Sequence, residues 1–321
     1  LKKMKFPNSE KLFLNSRNSF NDFNLNNVDL FHFFNNISYG KRPWISTFET
    51  FIHRYYNLMN HHKKDIINND RTINKALSAI AGDPCKKIIS ISECTMNIQY
   101  ELLNQYSDFK QAIEKKITVI HPPQKLYVNN FEEKELSLEK EISFILVGGD
   151  FFRKGGLEIL NVFNKLKKTK KLPIKLTIVS SLNTNDYASR AGENEYFTAT
   201  KIIRDNSDWI THYNRLSNNE VLKLMKNHHV GLLPTWADTY GYSVLEMQSV
   251  GCPVISTDVR ALPEVNTNDN GWVINVPKNT RGEALYSTKE MRSTLSETIA
   301  EQLEKIVLDI NDNPQSIREK S

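Results

Sequence analysis

The chain has 321 residues, 39% of them hydrophobic and 25% charged, with 12 glycines, 11 prolines and 3 cysteines. These proportions exclude a collagen-like, disulfide-scaffolded or wholly disordered protein, and the length exceeds what one compact core usually holds, so two domains are expected. The formal net charge of +5 arises entirely in the first part of the chain: residues 1–140 hold 20 Lys and Arg against 15 Asp and Glu, whereas residues 141–321 hold 22 against 22.

A basic front half suits peripheral contact with an anionic membrane or a phosphorylated carrier; equally, it is a solvated face with no partner. No nucleic-acid motif accompanies it, so no nucleic-acid partner is expected. The apolar runs 142–147 and 230–233 fall far short of the ~18 residues of a membrane helix, and no signal-peptide pattern opens the chain. Cys85, Cys94 and Cys252 form no Cys-x-x-Cys pair and leave one thiol over in any disulfide scheme. A cytoplasmic protein, peripheral at most to the inner face of a membrane, is the expectation.

In chain order, residues 1–27 show no clear period apart from one expected strand at 11–14. Strands at 28–34, 44–48, 86–90 and 117–120 then alternate with helices near 51–59, 71–81 and 96–106. That alternation predicts a parallel, doubly wound sheet. His121-Pro122-Pro123 stops the last strand, and 124–141, with charges around Glu132 to Glu135, reads as an interdomain linker. A second α/β unit follows, with strands at 143–147, 175–179, 209–212, 230–233, 253–256 and 271–274. Ser217-x-x-Glu220 is a capping box that starts a helix over 218–226, and Gly251 before Cys252-Pro253 ends another. From 288 to 310 the pattern is a long helix with a polar face, followed by a frayed tail.

Two constellations carry chemistry. In the first, a strand ends at Val147 and is followed by Gly148, Gly149, Arg153, Lys154, Gly155 and Gly156 and then an amphipathic helix from Leu157. Free amides, the positive helix end and two cations make a phosphate cradle. Without Gly-x-Gly-x-x-Gly or a Walker loop, a dinucleotide or P-loop site is disfavoured. Read alone, the motif is equally a tight turn with two solvated cations.

In the second, a buried strand ends at Pro234, a loop carries Asp238, and a helix begins near Gly241. The amides of Gly241 to Leu245 offer a second anion site, so two helix N-termini would point at one crevice. Glu246, a turn and a half into that helix among apolar neighbours, requires a polar partner such as a sugar hydroxyl or a cation. The structural alternative is a capping Asp and a structural Glu.

Asp238-x7-Glu246, with Gly251-Cys-Pro-Val-Ile-Ser-Thr-Asp258 and Leu262-Pro263-Glu264-Val265, resembles the donor-site signature of retaining GT-B glycosyltransferases, the group 1 or family 4 type. The resemblance spans about residues 142–276. It implies an α/β fold of GT-B architecture, two Rossmann-like doubly wound domains facing across a cleft: a short acceptor-side domain over 1–135, a nucleotide-sugar domain over 141–290, and a helix over 291–321 that crosses back to the first domain. The implied reaction moves a sugar from a nucleotide-diphosphate donor to a sugar or lipid-linked acceptor hydroxyl with retention, in surface polysaccharide or glycolipid synthesis.

By the same resemblance, Lys154 binds the diphosphate, Asp238 the donor sugar and Glu246 the ribose. Gly148, Gly149 and the stretch Thr239, Tyr240, Gly241, Tyr242, Ser243, Val244 and Leu245 cradle diphosphate and sugar, and the base lies near His212 to Leu216, touching Asn214 and Leu216. The sequence departs from the family pattern where an acidic Glu is shortened to Asp238 and where the usual arginine falls on Gly149, leaving Arg153 to supply the cation. In the first half, Glu49 stands near the position of the family's acceptor-side histidine and is either a catalytic contact or a plain acid; His32 and His53 are packed or surface residues. No Asp-x-Asp occurs, so no metal or other cofactor is expected. A non-catalytic nucleotide-sugar-binding module, an epimerase and a phosphorylase of the same architecture are the rival readings.

Overall fold

The computed structural model describes residues 19–23, 25–50 and 71–321. The expected strand at 11–14, the helix at 51–59 and His53 lie outside them. The chain divides into two compact units between Pro122 and Pro123.

In the first unit, β2 (Phe31–Phe34), β4 (Trp44–Phe48), β5 (Cys85–Ser90) and β6 (Ile117–Val119) form a parallel sheet in that order, and β1 (Ser19–Phe20) pairs separately with β3 (Ile37–Ser38). Helices α1 (Arg71–Ala81), α2 (Glu93–Leu103) and α3 (Ser107–Glu114) pack on the sheet around Trp44, Phe48, Leu77, Ile80, Ile88 and Leu102. The Ser92 side chain caps α2 by accepting from the Thr95 amide, which starts the helix three residues before the predicted position. Lys116 Nζ donates to the carbonyls of Ile80, Ala81 and Gly82 at 2.7–2.9 Å, neutralising the negative end of α1. The order of the described strands runs one way across this sheet, so the doubly wound expectation is met elsewhere.

The doubly wound order is in the second unit, a six-stranded parallel sheet arranged β12-β11-β10-β7-β8-β9. Its strands are β7 (Ile142–Val147), β8 (Ile174–Val179), β9 (Ile210–Tyr213), β10 (Val230–Leu233), β11 (Val254–Thr257) and β12 (Gly271–Ile274). Strands β7, β10 and β11 are buried on both faces, which is why β7 and β10 read as largely apolar runs; β11 ends in the buried polar pair Ser256 and Thr257. The helices are α4 (Gly156–Lys170), α5 (Glu193–Asp205), α6 (Asn218–Lys226), α7 (Tyr242–Ser249), α8 (Leu262–Val265), α9 (Lys289–Asp312) and α10 (Gln315–Lys320). The capping box closes as expected, with Glu220 Oε2 accepting from the Ser217 amide at 2.9 Å.

Two expectations, the linker over 124–141 and the frayed tail, are corrected here. Residues 124–141 are packed on the second unit: Phe131 is buried, the Tyr127 amide donates to Ser249 O at 2.8 Å, and buried Lys134 donates to Gly251 O at 2.7 Å, capping α7. The helix α9 packs within its own unit against α4 and β12, burying Leu295, Ile299, Leu303, Val307 and Ile310 along one stripe. The tail is helical rather than frayed, because Ile317 of α10 is buried and Arg318 reaches Glu132 at 3.2 Å.

Candidate functional site

In the second sheet, the chain leaves β7 toward β8 on one side and later returns to β10 on the other. Right-handed crossovers therefore send the connections of β7 and β10 to opposite faces, and a crevice opens outside the carboxyl ends of these two strands. Both constellations stand there.

Residues 148–156 turn back sharply after β7, with positive φ at Gly148, Asp150 and Gly155. A Cβ on Gly155 would lie 2.1 Å from Pro234 O, so only glycine lets this loop close on the end of β10. The two loops are then joined by hydrogen bonds: the Trp236 amide donates to Arg153 O at 2.9 Å, Thr235 Oγ1 to the same carbonyl at 3.1 Å, and Thr257 Oγ1 of β11 to Thr235 O at 2.6 Å.

Lys154 and Asp238 meet at this junction. Lys154 Nζ donates to Asp238 Oδ2. The other oxygen, Oδ1, accepts from the amides of Thr239 at 2.8 Å, Tyr240 at 3.4 Å and Gly241 at 3.2 Å. Burial would raise the Asp238 pKa, but the charge and hydrogen bond of Lys154, the Arg153 charge and the Tyr240 amide hold it below the ordinary carboxylate value. The cation and amides expected to grip an anion thus converge on one point, and a carboxylate stands in it.

Arg153 is turned aside. Its Nε and Nη2 donate to Asp150 Oδ2 at 3.2 and 2.7 Å and its Nη1 to Ala237 O at 2.7 Å, while the guanidinium carbon lies 5.6 Å from the Tyr187 ring centroid. Burial opposes its charge, but the Asp150 hydrogen bond together with the charges of Tyr187, Asp150 and Asp238 outweighs it and raises the pKa. Gly148 and Gly149 both lie at the crevice edge, and a Cβ on Gly149 would meet nothing within 4 Å.

Along α7, the amides predicted to be free are partly used, since Gly241 N serves Asp238 and Val244 N donates to Gly241 O at 2.8 Å. Val244 is buried and faces the core, whereas Tyr242 is exposed and Ser243 and Leu245 are half-buried. Glu246 is half-buried and finds its polar partner in Asn218, whose Nδ2 donates to Oε1 at 3.1 Å. Beyond β9, Asn214 is exposed and Leu216 half-buried, and His212 donates from Nε2 to Ser180 O at 2.9 Å. Glu49 lies in the first unit, just after β4, where Asn35 Nδ2 donates to its Oε2 at 3.3 Å and Asn35 Oδ1 accepts from its amide. His32, at the surface, pairs with Thr47 Oγ1 at 2.9 Å.

Sequence reasoning missed Asp150, Thr235, Asn218 and Tyr187. Only Asp150 carried a local signal, as an Asp after two glycines in a tight turn. Among the described residues, no three His, Cys, Asp or Glu side chains converge as a metal site.

The family described as Glycosyl transferases group 1 matches residues 128–308, more than half of the chain and all of the crevice. The chain belongs to the group 1 glycosyl transferases. No curated protein matches it by sequence. Among solved structures, a glycosyltransferase from Rickettsia africae ESF-5 is similar over 100% of this chain and 84% of its own, at 15% identity and a TM-score of 0.51. WaaG, a glycosyltransferase involved in lipopolysaccharide biosynthesis, matches over 88% and 73% at 16% identity and a TM-score of 0.47. Alr3699/HepE of Anabaena, solved in complex with UDP and glucose, matches over 89% and 76% at 12% identity and a TM-score of 0.48.

The fold of this group 1 glycosyltransferase is the two-domain, Rossmann-like GT-B architecture, and membership supports sugar transfer from a nucleotide sugar. No described helix is long and apolar enough to cross a membrane.

Proposed function

We propose that this group 1 glycosyltransferase transfers a sugar from a nucleotide-diphosphate donor to an acceptor hydroxyl with retention of configuration and without a metal. The observation that carries the reading is the convergence of Lys154 Nζ and the amides of Thr239, Tyr240 and Gly241 on one carboxylate at the switch point of the second sheet. A diphosphate asks for the same donors. As the glycosidic bond breaks, negative charge grows on the leaving diphosphate, and a fixed cation and fixed dipoles stabilise it without reorganisation. Lys154 takes that role, Glu246 holds the ribose, and Asp238, once released from Lys154, faces the sugar. Arg153 shapes the loop through Asp150 and Ala237, and its second role is to add positive potential beside the diphosphate. Glu49 acts on the acceptor side. A lipid-linked or polysaccharide acceptor at a membrane surface fits the basic first half of the chain.

The test is calorimetric titration of UDP, GDP, ADP and dTDP and their common sugars, with EDTA present, on wild type and Glu246→Ala, followed by product anomer analysis. One nucleotide bound by wild type and lost in the variant, with retained configuration in the product, is the expected result. Binding without turnover on any acceptor would leave a non-catalytic module. Activity abolished by EDTA and restored by manganese would overturn the metal-free mechanism.

A further inference from the structure

The loop that leaves β11 carries a feature that the donor site does not use. Arg260 sits at the carboxyl end of the sheet, one strand beyond β10, with only 8% of its surface exposed. Its backbone is left-handed, with φ of 51°, a conformation that strains a side chain other than glycine and is kept where something over-determines it. What holds it is a second loop: the Arg260 amide donates to Gly282 O at 2.7 Å, and Gly282 is itself at φ 74° so that the two backbones can approach.

The guanidinium is held at one end only. Nη1 donates to Glu283 Oε1 at 3.1 Å, and Glu283, 5% exposed, is fixed in turn by Asn279, whose Nδ2 donates to Oε2 at 3.0 Å. The opposite edge, Nε with Nη2, is buried and has no hydrogen-bond partner among the described residues. Those two N–H groups are parallel, and they are the pair that grips a carboxylate or phosphate side-on through two bonds. Leaving such donors unmet in a protein interior is costly, so the arrangement is not one that packing alone selects. The neighbourhood reaches the crevice: the Arg153 guanidinium carbon lies 5.6 Å from the Tyr187 ring centroid, the Tyr187 and Tyr286 rings stand edge to face at 6.4 Å, and both phenols feel the Arg260 charge; Tyr286 is buried and Tyr187 is 56% exposed, so the cluster meets solvent on the Tyr187 side.

We propose that the Nε–Nη2 edge of Arg260 binds the carboxylate of an acidic donor sugar, making this enzyme selective for a nucleotide-linked hexuronic acid. The inference rests on the donor reading above and deepens it. The diphosphate is served by Lys154 and the α7 amides, so a carboxylate on the sugar is the anion left for a fork one strand further along the same edge. Tyr187 is the side chain that gives way to admit it. Chemistry at the anomeric centre is unchanged; Arg260 adds affinity and orientation.

The experiment compares sugar pairs that differ only at C6, UDP-glucose with UDP-glucuronate and GDP-mannose with GDP-mannuronate, by calorimetry on wild type, Arg260→Lys and the double variant Arg260→Gly with Glu283→Gln. Lysine keeps the charge beside Glu283 but has no fork; the double variant places glycine at a left-handed position and removes the orphaned carboxylate, so it is expected to fold. For the pair whose nucleotide binds, the uronate is expected to bind wild type about tenfold more tightly than the neutral sugar, and both variants to lose that preference while still binding the neutral sugar. Equal affinity for the two members of a pair, or a preference that survives both variants, overturns the Arg260 assignment and leaves the donor reading intact. Failure of every nucleotide and nucleotide sugar to bind overturns both.

Discussion

Lys154 and Asp238, 84 residues apart in the chain, form a direct ion pair where the loops of β7 and β10 meet. Asp238 also takes three backbone amides with its second oxygen. A shorter side chain explains the geometry: from Asp the carboxylate folds back onto the amides that follow it, as Asp does in turns, whereas Glu would project past them. Under the proposed function a diphosphate takes the same donors, and donor binding then requires Asp238 to exchange partners.

Exchange has a measurable consequence. In Asp238→Asn the amide-accepting oxygen is kept and the competing charge is lost, so Lys154 is left without its counter-ion. A bare nucleoside diphosphate should then bind about fivefold or more tightly, worth ~1 kcal/mol, while kcat falls because the sugar loses its carboxylate. Titration with the nucleotide found active against wild type decides it; weaker or unchanged binding would show that Asp238 does not compete.

Lys154→Ala should weaken nucleotide binding, the opposite of Asp238→Asn, and lower turnover as well. Loss of one fixed cation at a developing charge costs ~2–4 kcal/mol of transition-state stabilisation, a fall in kcat of about 10² to 10³. It also orphans a buried carboxylate, so the fold should weaken, and Lys154→Ala combined with Asp238→Asn should recover part of that stability. A double-mutant cycle in urea, read beside single-turnover rates, separates the two effects. Turnover near wild type would remove Lys154 from the chemistry.

The glycines of the first loop separate sharply. Gly155 sits at φ 77°, and a methyl group added there would lie 2.1 Å from Pro234 O. It cannot take alanine without moving β10, and Gly155→Ala should cost about 3 kcal/mol or more. Gly149 faces open space, and Gly149→Ala should stay within ~0.5 kcal/mol. Melting curves of the pair at one pH provide the comparison; equal losses would contradict the strained loop.

Much of this was legible in the sequence, for reasons that differ by element. Strands β7 and β10 announce themselves because burial on both faces demands largely apolar runs, and α6 because its capping box is a local hydrogen-bond pattern. The pairing of Lys154 with Asp238 was not legible, because sheet order and not sequence spacing brings β7 and β10 together. Nor was the packing of residues 124–141: Lys134 looks like one charge in a polar run, yet its stem is buried and its ammonium caps α7. Arg260 and Glu283 lie 23 residues apart on two loops, and nothing local marks either as half of a buried pair.

A last prediction concerns acid. His229, at the start of β10, accepts the Ser143 amide at Nδ1 at 3.0 Å and donates from Nε2 to Ser137 O at 3.2 Å, so a second ring proton would point at a donor. Burial, outweighing the Ser137 hydrogen bond and joined by the Lys134 and His228 charges, lowers its pKa from 6.5 to about 4. Between these values the unfolded chain binds a proton that the native ring refuses, so stability rises with pH through that window and falls as pH drops from about 6.5 toward 4. Above 6.5 the ring is neutral in both states and contributes no slope. Wild type should lose about 3 kcal/mol through this group by pH 4. In His229→Asn, whose side chain can accept at the same place and carries no titrating nitrogen, the slope of stability against pH between 4 and 6.5 should be shallower. Urea unfolding at half-unit pH steps reads both slopes, and parallel curves would mean that His229 is protonated in the native protein.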